Sequence, residues 1–534
     1  MNRSDALESG GMPRSPNASA KSKRLRQSER QSGTWAGAVI IFSMLGFALP
    51  VCAQYTAPPP PAPFAGFVNE WLRASDTNMN KWNFGGSARF RYEMKEGFAI
   101  QGQTGSMDFR DHGADVDNEY FLGKVLFHGG YTESWWSAYA EGRSSFAFSD
   151  QRFAYANTPP VAGTVRRKGD GPESDTIDLQ QAFVTVGKPS AFPLSVKVGR
   201  QELVYGEERL IGAYAWNNIG RVFDGAKVHW QNDSFWTDFF VSRPVIPEDG
   251  RFNVVNYYDW FSGMYTTFTF VPKNFVDVYF LSRNSSPSAI SAQPSPQFPQ
   301  PSARDIYTIG GRFKSKPGEL GNWDYLVDGA YQFGDFRDQR LGANSPRLTQ
   351  DAYMYVLEGG YTFADAWGKP RLGLEYDFSS GDSDPTDNKH QTFDNLFPTN
   401  HKFYGYMDFI SLQNIHDVRG IFQLRPVKRV SIAVEGHGFW LADTHDSFYN
   451  ASGVPRGGVA PTPAGNGYGI NPNYGNFLGT ELDVIAGVAV TRFAILEVGY
   501  GHFFTGDYIN QSLHSPAFGS QDANYGYIQA TIGF

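Results

Sequence analysis

Cysteine is all but absent from this chain. Cys52 is the one cysteine among 534 residues, and it stands next to an expected cleavage site, so the processed chain would hold none. A disulfide framework and a thiolate metal site are thereby excluded for it. A lipid-modified Cys52 is disfavoured, because a small residue is expected before such a cysteine and Val51 stands there. Long apolar runs are missing too: beyond residue 53 no run approaches the roughly 18 to 20 residues that a spanning helix needs. There is no P-loop, dinucleotide fingerprint or zinc motif, so no nucleotide, metal or redox cofactor is expected. His112, His390, His401, His416, His445 and His514 read as loop histidines, but no G-x-S-x-G accompanies them, and the chain is not read as an enzyme.

What the chain does have begins with a processed amino terminus. Residues 1–34 are polar and carry Lys21, Lys23, Arg24, Arg26 and Arg30, and an apolar run follows from Trp35 to Leu49. Pro50-Val51-Cys52-Ala53 completes a charged region, a hydrophobic region and a small-residue site, so residues 1–53 read as a signal peptide cleaved after Ala53. Residues 54–80 read as a proline-rich periplasmic leader, extended over 54–66 (QYTAPPPPAPFAG). The formal charge is −8, and residues 1–53 hold seven Lys/Arg against three Asp/Glu, or +4, which leaves −12 for the remainder. That sign offers nothing to nucleic acid. Any handling of anions must come from local placement of charge.

Composition and periodicity then set the class. Aromatics reach 16%, with 44 Phe, 28 Tyr and 58 Gly, while mean hydropathy is −0.40. A polar average rich in aromatics and glycine suits an outer-membrane β-barrel with apolar faces out, polar faces in and aromatic girdles. The last ten residues alternate strictly: Ile528, Ala530, Ile532 and Phe534 share one face, and Tyr527, Gln529 and Thr531 the other. A terminal strand ending in Phe534 is the signal read by the barrel assembly machinery. Nineteen alternating segments run from 82–94 to 522–534, among them 352–363, 370–379, 403–412 and 417–425. Single-chain bacterial barrels have even strand numbers, so one of the nineteen is spurious and the expectation for 81–534 is an all-β, antiparallel, up-and-down barrel of 18 strands. Links at 231–234, 271–273 and 490–493 read as short periplasmic turns. Those at 147–176, 284–303, 380–402 and 443–477 read as extracellular loops or pore-lining inserts.

The phase of each strand places charges. Arg89, Arg91 and Glu93 oppose Ala88, Phe90 and Tyr92; Glu141 and Arg143 oppose Trp136, Ala138 and Ala140; Lys227 opposes Ala226 and Val228; Arg371, Glu375 and Asp377 oppose Leu372, Leu374, Tyr376 and Phe378; and Arg312 lies beside Ile309 and Phe313. A charge on the lipid face near the midplane costs roughly 2–4 kcal/mol, so these side chains are expected in the lumen. There they form either a lattice of ion pairs or a guanidinium ladder for a polyanion. Arg200 shares the apolar phase of Leu194, Val196 and Val198, so a bulge or strand end is expected at Gly199, followed by a structured loop that carries Arg209 and Arg221 toward the pore. Asp382, Asp384 and Asp387 fit a calcium loop only loosely and lack its closing Glu, so a solvated acidic turn is expected.

Three blocks carry a resemblance: 198–225 (VGRQELVYGEERLIGAYAWNNIGRVFDG); 372–408 with its Ser380-Gly381-Asp382-Ser383-Asp384, 392–401 (TFDNLFPTNH) and 404–408 (YGYMD) motifs; and 478–534 with Leu478-Gly479-Thr480-Glu481 and 499–504 (GYGHFF). The chain resembles the alginate-export family of outer-membrane porins over essentially everything after Trp82. The resemblance implies an 18-stranded barrel whose electropositive constriction conducts a polyuronate, with Arg89 and Arg91 as early luminal arginines and Arg200, Arg209 and Arg221 in a pore-loop motif. Its implied partners are an anionic polysaccharide, outer-membrane lipids and periplasmic export proteins. The alternative is a porin taking up small anionic or aromatic solutes.

Overall fold

The computed structural model describes residues 66–98, 109–111, 115–151, 173–188, 191–247, 249, 252–285, 303–337, 345–453, 455, 468, 470–514 and 518–534. The expected signal peptide, the stretch 54–65 and His112 lie outside the described residues, as do most of the link 284–303 and residues 454, 456–467 and 469 of the link 443–477.

Eighteen antiparallel strands close into a barrel. In chain order they are Trp82–Glu96, Asn118–Thr132, Trp136–Phe148, Asp175–Gly187, Leu194–Gln201, Phe223–Gln231, Phe235–Ile246, Asp259–Phe268 and Asn274–Ser285, followed by Ala303–Ser315, Trp323–Arg337, Leu348–Thr362, Arg371–Ser379, Ile415–Val427, Val430–Leu441, Phe477–Ala489, Ala494–Thr505 and Ala523–Gly533. Each pairs with its neighbours in sequence, and the last returns to the first from Ser87↔Gly533 to Glu96↔Asn524. Closure leaves no unpaired strand edge, which a β protein in hydrocarbon requires. The seam is finished by the chain end: the Phe534 and Gly86 N–H groups donate to each other's carbonyl oxygens, both at 2.9 Å. Two short pairs, Val254–Val255 on Val245–Ile246 and Lys389–His390 beside Thr349–Gln350, lie outside the barrel count.

The spurious segment is 403–412. It is not a strand; a single 3₁₀ turn, Asn400–Lys402, precedes it and the rest is irregular. Phe403, Tyr404, Met407, Phe409, Ile410 and Leu412 are all buried. Their apolar content, which mimics strand alternation, instead fills the barrel interior. Within the span read as the leader, Phe67–Ser75 form an α-helix and Thr77–Lys81 a 3₁₀ turn that Asp76 caps by accepting from the Asn78 N–H at 2.9 Å.

Strand phase behaves as the periodicity requires. Phe90, Val184, Val198, Phe239, Val241, Leu372 and Leu374 are exposed on the outside, and Arg91, Glu93, Arg143, Glu375 and Asp377 are buried within. The links 231–234, 271–273 and 490–493 are short, and their end of the barrel carries exposed Trp82, Trp135, Phe192, Trp230, Phe270, Trp323 and Trp367, an aromatic girdle. A register shift beside Gln180 and Gln181 lets both amides point inward, Gln180 to Arg143 and Gln181 to Glu141 at 3.3 Å.

Candidate functional site

Two links fold into the barrel and meet each other. Residues 202–222 join the strands Leu194–Gln201 and Phe223–Gln231; residues 380–414 join Arg371–Ser379 and Ile415–Val427. Chain inside a barrel must find partners for its backbone groups, as any buried backbone must. The two segments partly satisfy each other: Gly212 N–H donates to Phe397 O at 2.8 Å, Phe397 N–H to Leu210 O at 3.0 Å, and Thr399 N–H to Glu208 O at 2.9 Å. Arg221 donates to the Pro398 carbonyl at 2.8 Å. The wall supplies the rest, with Met407 N–H donating to Glu481 at 2.9 Å and Gln350 donating to Thr392 O at 3.0 Å.

Of the nine non-glycine residues with positive φ among the described residues, Glu208, Tyr214, Leu396, Asp408 and Asn414 fall in these two segments. For bulky Tyr214 (φ 51) and Leu396 (φ 53) that backbone is unfavourable in isolation. The surrounding contacts hold it. An interior apolar core that includes Leu203, Tyr205, Ile211, Phe393, Phe397 and Phe409 joins both segments to the wall.

Most of the expected lumen arginines are spent on ion pairs. Arg91 contacts Glu93 at 2.6 Å, Arg143 contacts Asp175, Arg312 contacts Asp277 at 2.5 Å and also Glu207, and Arg371 contacts Asp324 and Glu358, the latter at 2.7 Å. Arg209 reaches from the first inward segment to Glu375 at 2.7 Å and Asp377 at 2.9 Å. Lys227 meets Asp238 at 2.9 Å, and Glu141 accepts from Tyr139 at 2.8 Å. These are the lattice of the first reading. Arg200 lies at the end of its strand: pairing runs through Gly199 without a shift, the strand ends at Gln201, and the guanidinium lies 3.7 Å from the buried Asp178. Arg200 is 12% exposed and pairs with Asp224 at 2.7 Å. Gly199 itself adopts φ 131, a backbone open to glycine.

Arg89 is different. Its guanidinium donates to the carbonyl oxygens of Ala215 at 2.9 Å and Asn217 at 3.3 Å. Lys124, directly opposite Arg89 on the adjoining strand, donates to the same two carbonyls at 3.1 and 2.9 Å. Both side chains are partly exposed, and neither has a carboxylate within 4.0 Å among the described residues. A second like-charged pair, Lys197 opposite Lys227, lies elsewhere on the wall, with Lys197 over the Phe183 ring at 3.6 Å. Sequence reasoning missed Lys124 because its luminal phase also carries Tyr120, Leu122 and Leu126, so neither face of that strand looks polar. Lys197 opposes Val196 and Val198 and was legible.

The family follows from this geometry and a sequence match. The alginate export family model matches residues 80–516. The chain belongs to the alginate export family. No curated protein matches this alginate-export chain. Among solved structures it resembles Acinetobacter baumannii OccAB4 (11% identity, 85% of this chain and 99% of that one, TM-score 0.51) and OccAB1 of the same organism (10% identity, 85% and 97%, TM-score 0.51). At that identity the likeness concerns the fold, which is the barrel of outer-membrane porins. This alginate-export protein is therefore an outer-membrane channel.

The remaining candidates scatter. His416 lies in a strand on the outward face, with Tyr376 Oη 2.7 Å from Nδ1; His390 stacks on Phe336; His445 contacts Asp443 at 2.8 Å; and His514 ends the helix Asp507–His514. Among the described residues no group of three or more His, Cys, Asp or Glu is arranged to hold a metal ion. Asp384 instead accepts from the Thr386 hydroxyl at 2.6 Å and N–H at 3.1 Å, an acidic turn. Asp382 lies in the same link. Burial and the charges of Asp446, Asp387 and Asp384 push its carboxyl up to about 7.

Proposed function

We propose that this channel passes a carboxylate-bearing polysaccharide of the polyuronate class outward, down its own gradient, and that Arg89 and Lys124 form the step at which each carboxylate is held. The carrying observation is that these two cations face each other across adjoining strands while, among the described residues, only neutral carbonyls answer them. Like charges directly opposite repel, and a carbonyl dipole offsets that less than a carboxylate does. A passing uronate would relieve the repulsion and then move on, since conduction needs sites that release as readily as they bind. Arg221, answered by the Gly212 and Pro398 carbonyls at 3.1 and 2.8 Å, is a further cation held by neutral groups.

In this reading residues 1–53 direct export and are removed after Ala53, Phe534 is read by the assembly machinery, and periplasmic export proteins deliver the polymer. The second reading is uptake of small anionic or aromatic solutes. It is favoured by the two segments that fold into the lumen and meet each other there.

The test is single-channel recording in planar bilayers with oligomannuronate and oligoguluronate of graded length, for wild type and for Arg89→Glu with Lys124→Glu. Anion preference, block that lengthens with the oligomer and loss of both in the variant are expected. A cation-selective pore indifferent to uronates sinks the export reading. Anion selectivity with block by monomers alone favours uptake.

A further inference from the structure

The helix Phe67–Ser75 meets the barrel in an unusual sense. Its apolar residues Phe67, Val68, Trp71, Leu72 and Ala74 fall on one arc, and Asn69, Glu70 and Arg73 on the other. An amphipathic helix in a globular protein turns its apolar arc to the protein. Here the polar arc makes the attachments. Asn69 donates to Asn83 Oδ1 at 3.0 Å, Glu70 pairs with Arg492 at 2.6 Å, and Arg73 donates to the Trp82 carbonyl at 3.0 Å. No residue of the helix is buried. Phe67 is 49% and Trp71 66% exposed, one turn apart on the same face.

The helix is attached at a particular level. Trp82, the residue that anchors Arg73, belongs to the girdle at the short-turn end of the barrel, and Arg492 and Phe493 lie in one of the short turns. Phe67 meets Phe493 edge-on at 5.9 Å, so the apolar arc continues the girdle outward from the barrel wall. Girdle aromatics sit at the boundary between hydrocarbon and headgroups, where an amphipathic helix also lies, its apolar face turned into the acyl region. We infer that Phe67–Ser75 is an interfacial helix that inserts Phe67 and Trp71 into the bilayer at the short-turn end. The barrel holds the polar side and lipid covers the apolar side. The occupant is the lipid surface, because the patch is continuous with the girdle that already meets it.

The experiment uses the full chain, refolded into phosphatidylcholine vesicles, in a Cys52→Ala background. Trp71→Cys, Phe67→Cys and Arg73→Cys are each labelled with an environment-sensitive fluorophore, and barrel closure is checked by heat-modifiable mobility on gels. Labels at 71 and 67 are expected to emit at shorter wavelength, to be quenched several-fold more by lipids brominated near the headgroup than the label at 73, and to resist aqueous iodide. The label at 73 is expected to be quenched by iodide. Equal iodide quenching at 67, 71 and 73 would overturn the inference, as would unchanged emission when the vesicles are replaced by an amphipathic polymer without lipid.

Discussion

The guanidinium carbon of Arg91 stands 3.9 Å from the centre of the Trp216 ring, and the His401 imidazole stacks on the same ring at 3.9 Å and 10°. Two planar groups cannot share one face of an indole, so Trp216 is held between them. Arg91 belongs to the wall, Trp216 to the first inward segment and His401 to the second. One ring thus ties together three parts of the chain that local sequence leaves unrelated.

Trp216→Ala should release that tie while leaving the barrel intact, since Arg91 keeps Glu93. Cation–π contacts of this kind contribute about 0.5–2 kcal/mol, enough to shift a segment between held and displaced states by a few-fold to some thirty-fold. The expected result is higher basal conductance and more frequent transitions between levels in planar bilayers, with anion preference retained. Unchanged conductance would show that Trp216 does not restrain the segment.

Phe409 packs within the barrel against Phe98 at 4.9 Å, Phe109 at 4.9 Å and Phe503 at 5.1 Å. Phe409→Ala is expected to cost about 3–5 kcal/mol, the range for truncating a fully buried aromatic. Equilibrium urea unfolding in vesicles would read the loss. A change below about 1 kcal/mol would mean that the second inward segment contributes little to the stability of the closed barrel.

Arg209 carries a buried triad with Glu375 and Asp377. Removing one member of a buried ionic group leaves charge uncompensated, so Arg209→Ala should destabilise by about 3–5 kcal/mol. Glu375→Gln with Asp377→Asn in the same chain should recover a substantial part. Failure of the triple variant to recover would show that Arg209 acts through packing on Phe403, 4.0 Å away, more than through charge.

The raised carboxyl of Asp382 makes its link sensitive to pH. With a folded value of about 7 and an ordinary one of 3.8, the folded link binds more protons between those limits. Its stability therefore falls as pH rises from about 4 to about 7 and is flat above that. Amide exchange of residues 380–392, corrected for the intrinsic pH dependence, should be faster at pH 8 than at pH 5. Asp382→Asn should remove most of the difference. Exchange that is equally protected at both pH values would count against the linkage.

Much of the candidate site was visible along the chain. Alternation in 88–93 put Arg89, Arg91 and Glu93 on the inner face, and the broken pattern after Gly199 marked a segment bound for the pore. What it could not show was which cations stay free of carboxylates. Arg209 finds Glu375 across 166 residues, while Arg89 finds neutral oxygens of Ala215, Asn217 and Asn218, 126 to 129 residues away. No local pattern separates the two arginines, because the difference lies in the far partner.

By itself the sequence determined the barrel, its strand spans and the inward or outward sense of most charges. Each of these rests on a period of two and on the cost of charge in hydrocarbon, both of which act over a few residues. Only the tertiary structure decided that 403–412 is interior filling and not a strand, that Arg200 is taken up by Asp224 and Asp178, and that the helix Phe67–Ser75 offers its polar side to the barrel. Those outcomes depend on closure: once eighteen strands enclose a volume, segments far apart in sequence compete to fill it and to pair its buried charges.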